Sequence, residues 1–280
     1  MKKTYITIIQ LSISILFVSL TIYNIDIRSL ITIFNKIDLH FFLLSPIAYF
    51  ISQIIASERL RNLLNISGFK LTFFENGKIY LIGMFYNFFI PGGIGGDIYK
   101  TYLFKKIYNW EVSQTIKIII KDRLIGLGVL FILLVFLDND LILKLNLFNK
   151  IILSLILFTL GSIITKVIFE NNNGFVKSFF LSIAVQLFQF ISIILILFSL
   201  KIDSNLVEIL FVFIISSILS VFSFGGIGIR EYIFYSAAYV LTISEVFSTS
   251  IGLLFTISAV ICSIPGFYFS IKNPSKSWVL

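Results

Sequence analysis

Long apolar runs separated by short polar stretches dominate the chain. They fall at about 4–25, 41–56, 116–137, 151–168, 178–200 and 247–271, each near the roughly 20 apolar residues that a helix needs to cross a bilayer. The runs are continuous rather than alternating, which predicts spanning helices and not the strands of a membrane barrel. Two further apolar stretches behave differently. One, about 79–90, is too short to span and ends in Pro91-Gly92-Gly93-Ile94-Gly95-Gly96-Asp97. The other, about 207–224, ends in Gly225-Gly226-Ile227-Gly228-Ile229-Arg230-Glu231.

Loop charge decides what these two stretches do. Arg59, Arg61, Lys70 and Lys78 precede the first, and Lys100, Lys105 and Lys106 follow it. Both flanks are basic, so both belong on the cytoplasmic side. A single crossing would violate that rule, whereas a re-entrant hairpin near 79–100 satisfies it. Threading the rest of the chain by the same rule starts Lys2 and Lys3 inside and returns Lys272 and Lys276 inside, with both termini cytoplasmic. The second hairpin, near 207–240, then dips from the opposite face. The first alanine is Ala48, so no A-x-A cleavage site precedes it and the first run is expected as an uncleaved span. The tetrapeptide Gly92-Gly93-Ile94-Gly95 recurs as Gly225-Gly226-Ile227-Gly228. Paired glycine-interrupted segments in two halves of a chain point to an inverted repeat with a transport site, although a Gly- and Ile-containing chain could also repeat four residues by chance. The expected fold is an all-α polytopic membrane protein, a single domain over 1–280, with about six spans and two opposed re-entrant hairpins.

Composition narrows the class. Apolar residues make up 58% of the 280 and charged residues 13%, against about a quarter charged in a soluble domain. Mean hydropathy is +1.01. Disorder, a fibrous protein and an ordinary cytosolic enzyme are excluded. The single cysteine, Cys262, and single histidine, His40, leave no disulfide framework and few zinc sites. Cys262 is expected as a packed small residue and His40 as an interfacial one. The net charge of +8 fits loops facing anionic lipid rather than nucleic acid. No metal or cofactor is expected.

The candidate chemistry lies at the glycine turns and in one charged cluster. Asp97 follows the first turn, where it could cap the helix running through Lys100 or face a ligand. A carboxylate at membrane depth needs a partner or a wet cavity. The glycines Gly92, Gly93, Gly95 and Gly96 let backbone N–H groups approach an anion closely. Lys121-Asp122-Arg123 opens the third span as a snorkelling cluster or a bundle-facing site. Asp122 and Gly126 share a helix face, which predicts close packing there. Past the second turn of Gly225, Gly226 and Gly228, Arg230 could face an anionic headgroup while Glu231 holds a cation, or the pair could be structural. Asp138-Asn139-Asp140 is expected to be a solvated loop, and no P-loop occurs.

Taken in order, these motifs resemble the transmembrane part of the lysylphosphatidylglycerol synthase family, the flippase-like domain also found in the multiple peptide resistance factor. The matching residues are Arg59 with Leu63-Leu64, then Gly83, Asn87, Pro91, Gly95-Gly96-Asp97 and Lys100, then Asp122-Arg123 with Gly126, and finally Gly225 through Glu231. The resemblance implies a multi-pass membrane protein of lipid transport. Lys100 stands where the family usually has arginine, which weakens a bidentate contact. Val221 and Phe224 stand where prolines often precede the second turn, so that break must rest on the glycines. The chain ends at Leu280 without the soluble domain that attaches the amino acid, so synthase activity is not expected. The expectation is a flippase in the inner membrane for a charged-headgroup phospholipid or a polyprenyl-linked lipid. Asp97 and Glu231 would meet cationic parts of the headgroup, and Arg230, Arg123 and Lys100 its phosphate. The alternatives are a lipid-modifying or polyprenol-phosphate glycosyltransferase-type enzyme and an accessory subunit of a separate lipid-synthesis enzyme. The oligomeric state stays open.

Overall fold

The computed structural model describes residues 16, 19–21, 23, 27–89, 95–139, 141–203, 206–223 and 226–272. Most of the expected first span, both chain ends, and Gly92, Gly93 and Gly225 lie outside the described residues. All regular structure among the described residues is helical. The helices are α1 (Ile27–Phe34), α2 (Leu39–Ile66), α3 (Phe73–Phe89), α4 (Gly95–Tyr108), α5 (Val112–Leu137), α6 (Leu147–Phe169), α7 (Phe175–Leu200), α8 (Leu206–Leu219), α9 (Ile229–Ala237) and α10 (Glu245–Ile271).

Four of them, α2, α6, α7 and α10, are long and apolar enough to cross a membrane, with window hydropathies of 1.7, 2.3, 2.4 and 1.9. Helix α5 has 26 residues, about 39 Å at 1.5 Å per residue, but its first half carries Lys117, Lys121, Asp122 and Arg123. Helix α6 identifies the solvent. Only Ser154 and Thr165 are buried along its 23 residues, and Leu147, Leu155 and Val167 stand open to the surroundings. A helix apolar on nearly every face is stable against lipid and not against water. The chain is an all-α polytopic membrane protein.

The chain packs as two compact units, each discontinuous in sequence. The first comprises Met1–Phe50, Asn87–Gly95 and Phe188–Cys262, and the second Ile51–Tyr86, Gly96–Leu187 and Ser263–Leu280.

In the second unit, α3 and α4 run side by side as a helical hairpin. Tyr86 stacks on Tyr99 at 3.9 Å, and Tyr108 at the far end of α4 donates to Glu75 Oε1 at 3.2 Å. Helix α3 starts earlier than the apolar stretch from 79 suggests, because Thr72 and Glu75 form a reciprocal capping box. Thr72 N donates to Glu75 Oε2 at 2.7 Å and Glu75 N to Thr72 Oγ1 at 3.3 Å. At 17 and 14 residues, the two helices reach about 26 and 21 Å, short of the roughly 30 Å hydrocarbon core. Leu60, Leu64, Ile79, Ile82, Leu103 and Phe104 seat the hairpin on α2. Asn76 ties it further, donating to both Ser57 O and Ser57 Oγ. Gly266 of α10 allows the closest approach, since a Cβ there would lie 2.0 Å from Leu81 O.

In the first unit, α8 and α9 pack on each other as the second short pair. Helix α8 stops at Leu219 and tightens into a 3-10 turn over Ser220–Phe222. Gly226 and Gly228 follow at φ 89° and 88°, a region open to glycine at little cost. Without proline, the break rests on glycine and serine. Ser45 Oγ lies 2.8 Å from Ser192 Oγ and 3.2 Å from Ser258 Oγ, small polar contacts that let α2, α7 and α10 approach closely. Cys262 is a packed small residue whose Sγ–H meets Pro46 O at 3.1 Å. Asp138, at the end of α5 in the second unit, is fully buried rather than solvated. Its carboxylate accepts from Ile142 N and Leu143 N, each at 2.8 Å, so it closes a turn.

Candidate functional site

Five charged side chains of the second unit gather from three helices. Asp97, in the first turn of α4, sits one turn before Lys100. Its Oδ1 is 2.7 Å from Lys100 Nζ and its Oδ2 accepts from Arg123 Nε at 2.9 Å. Both carboxylate oxygens are therefore taken by cations, and Asp97 bridges α4 to α5 instead of capping backbone N–H groups. Lys100 is buried, with its stem against α3 where Gly83 leaves room. A Cβ at Gly83 would lie 2.9 Å from the Lys100 Cδ and Cγ atoms. Its ammonium sits 4.8 Å from the centre of the Tyr80 ring, a cation–π contact.

Asp122 points the other way around α5. Arg59 of α2 binds it through both atoms of one guanidinium edge, Nε to Oδ1 at 2.7 Å and Nη2 to Oδ2 at 2.9 Å. The third nitrogen, Nη1, donates to Ser182 Oγ at 2.8 Å, and that hydroxyl donates onward to Ser178 O. Gly126, one turn beyond Asp122, makes the space. A Cβ there would come within 3.1 Å of Arg59 Nη1. Tyr80 lies in the field of Arg59, Asp97, Asp122 and Arg123 together. Three cations face two carboxylates, so the cluster carries an excess positive charge. A lone charge at membrane depth costs about 2.5–3.5 kcal/mol on insertion scales, and pairing is what makes this group tolerable.

Arg123 differs from its neighbours. Its side chain is 51% exposed while that of Asp97 is 9% exposed. Nε is fixed on Asp97, and the two terminal nitrogens make no hydrogen bond among the described residues. Lys121 does not snorkel. It is clasped by Asn171 O and Asn171 Oδ1 at 3.0 Å each and by Asn173 O at 3.3 Å, which fastens the α6–α7 loop to α5.

The second motif lies in the first unit. Glu231, in the first turn of α9, accepts from Gly228 N at 2.7 Å through Oε2 and from Thr256 Oγ1 at 2.7 Å through Oε1. It holds the turn in shape. Arg230 donates from Nη1 to Thr256 Oγ1 at 3.2 Å and lies over Phe255, 4.8 Å from the ring centre. A separate cleft of about 790 Å3 in the same unit is lined by Thr32, Lys36, Lys201 and Phe247, among others, and contains none of the expected site residues.

The structure thus brings Asp97, Lys100, Asp122 and Arg123 together, and puts Arg230 with Glu231 in a second cluster. Gly95 and Gly96 open α4 and are buried. Arg59, Tyr80, Ser182 and Thr256 also belong to these clusters. Only Arg59 figured in the sequence reading, as a basic flank of the first hairpin and as one of the residues carrying the resemblance; it is instead buried inside α2 and paired with Asp122, so it is not a loop charge. Its local signal was weak, because Glu58, Arg61 and Asn62 flank it and read as the polar end of a helix. Tyr80, Ser182 and Thr256 carry no such signal, since neutral hydroxyls are common in apolar helices. Among the described residues, no group of His, Cys, Asp and Glu could hold a metal ion.

No curated protein and no solved structure matches the chain. The profile described as the lysylphosphatidylglycerol synthase TM region matches residues 7–168, more than half of the sequence and all five charged residues of the second-unit cluster. Its function is therefore membrane- and lipid-related, and the chain belongs to the family of the lysylphosphatidylglycerol synthase transmembrane region.

Proposed function

We infer that the protein moves a lipid with a charged headgroup across the cytoplasmic membrane. The observation that carries this reading is the half-exposed guanidinium of Arg123, fixed at Nε by a buried carboxylate and, among the described residues, without a hydrogen bond at its two terminal nitrogens. A planar fork held on one side is preorganised for a phosphate on the other. The surplus positive charge of the cluster draws an anion, and Lys100 adds a second cation one turn away. Asp97 gives the site a second function. When a headgroup ammonium arrives, as in an aminoacylated phospholipid, that carboxylate can exchange Arg123 for the incoming cation. The acyl chains remain in the bilayer, and the movement is passive or coupled to an ion gradient.

The test is lipid translocation in proteoliposomes. Labelled phosphatidylglycerol and its lysyl form are placed in one leaflet, with wild type beside Arg123→Ala and Asp97→Asn. Wild type is expected to equilibrate at least one of them, and Arg123→Ala to slow it at least roughly tenfold, the worth of a charge-assisted pair. Wild-type rates no faster than protein-free vesicles would sink the transport reading. Equal rates for wild type and Arg123→Ala would remove Arg123 from it.

A further inference from the structure

Arg59 and Arg230 are both buried guanidinium groups, and they differ in their partners. Arg59 spends its Nε and Nη2 edge on the two oxygens of Asp122 and its Nη1 on a serine hydroxyl. Arg230 likewise spends Nη1 on a hydroxyl, that of Thr256. Its Nε has no partner, and it forms no ion pair among the described residues. The residue is only 8% exposed. Glu231, adjacent in sequence, does not neutralise it directly, because its two oxygens are bonded to Gly228 N and Thr256 Oγ1. Thr256 therefore accepts from the cation and donates to the carboxylate, and holds the two apart.

The surroundings suit an anion. One face of the guanidinium is covered by Phe255. At the outer end of the guanidinium the chain has a glycine, and a Cβ at Gly226 would lie 3.2 Å from Nη2 and 3.4 Å from Nη1, so a larger residue would press on the group. Arg230 also stands in the first turn of α9, where the helix dipole favours negative charge. The Nε and Nη2 edge is the one whose two parallel N–H groups match the oxygens of a phosphate or carboxylate.

We propose that Arg230 is the floor of an oxyanion site in the first unit, in which a phosphate takes the place that Asp122 fills on Arg59. Thr256 and Glu231 are positioning residues that aim the guanidinium. The phosphate comes from the headgroup of an anionic lipid or from solution. Occupancy of this site does not presuppose lipid movement.

The full chain, reconstituted in phosphatidylcholine nanodiscs, is titrated with phosphatidylglycerol in one series and with inorganic phosphate against chloride at equal ionic strength in another. Unfolding is followed by exposure of the buried Cys262 to a thiol-reactive dye. One of the two probes is expected to raise the wild-type unfolding temperature, and Arg230→Lys, which keeps the charge and loses the fork, to require at least roughly tenfold more of it. A lipid-only response assigns the phosphate to a headgroup, and a response to free phosphate assigns it to solution. Superimposable wild-type and Arg230→Lys titrations would overturn the site. Phenylglyoxal labelling of the wild type, read at the Arg230 peptide, makes the test independent of the variant's folding. Protection of that peptide by the active probe is expected, and an unchanged labelling rate overturns the proposal. Neither readout involves translocation, so a failure here is distinct from a failure of the transport assay.

Discussion

Arg59 and Arg123 sit in different electrostatic settings, and each implies a different response to mutation. Arg59 is sealed. It is bidentate to Asp122, bonded to Ser182, and buried. Removing one partner of such a pair leaves an uncompensated charge and costs about 3–5 kcal/mol, so Asp122→Asn should lower the unfolding temperature sharply. Gly126 is tied to the same group. Because Arg59 is fixed at three nitrogens, it has little freedom to yield to a side chain whose first carbon lies 3.1 Å away. Gly126→Val is expected to cost about 1–3 kcal/mol. Gly128→Ala, two residues on with nothing within 4 Å, should be neutral or slightly stabilising. A thermal melt of the three variants in one detergent would check all of this, and equal melts for Gly126→Val and Gly128→Ala would contradict it. Arg123, half-open, should tolerate replacement far better in a melt than in transport.

At the scale of the element, the short helices are set by local devices. The capping box at Thr72 and Glu75 begins α3, and the glycines at 226 and 228 permit the turn into α9. Thr72→Ala is expected to cost about 0.5–2 kcal/mol as a lost N-cap. The packing of α3 on α10 depends instead on one missing Cβ. Gly266→Ala should be strongly destabilising, because the 2.0 Å approach is to backbone at Leu81 O and backbone cannot swing aside. Gly77→Ala, in open space on the same helix α3, should gain up to about 1 kcal/mol in helix propensity. A denaturation series that ranked these two the other way would show the interface to be misread. These elements also show what the sequence could and could not reveal. Run length marked the short apolar helices α3 and α8 because burial and solvation act residue by residue. The T-x-x-E box at 72–75 was not read from the sequence, and it sets the true start of α3, which hydropathy alone places late. The pairing of Arg59 with Asp122 was not legible, because 63 positions separate the two and only packing decides which cation meets which carboxylate. The same holds for Thr256, a hydroxyl that gains its meaning from the arginine and the glutamate beside it.

For the whole molecule, the testable quantity is which face each loop meets. Helices of 17 and 14 residues are too short to cross singly, and basic residues at both ends of the first pair predict that both ends meet one face, the cytoplasmic one. Single cysteines at Ser67 and Lys106 should react with a membrane-impermeant thiol reagent from the cytoplasmic side only. Cysteines at Lys201 and Ser244, flanking the second pair, should both react from the exterior. The native thiol is buried against Pro46 O, so Cys262 contributes little background in folded protein. Labelling of the two ends of either pair from opposite sides would replace a re-entrant hairpin with a crossing.

Helix α6 has one further consequence. With two fully buried positions along its length, the larger part of its surface is read by lipid, and one seam through Phe158, Ser162 and Thr165 is read by protein. Lipid distinguishes apolar from polar but hardly one aliphatic side chain from another, so the instructions written in α6 are highly degenerate. Its residues specify a solvent, whereas those of α4 and α5 specify partners. An evolving lineage could rewrite most of α6 within the apolar alphabet while the charged words Asp97-Lys100 and Asp122-Arg123 stayed fixed.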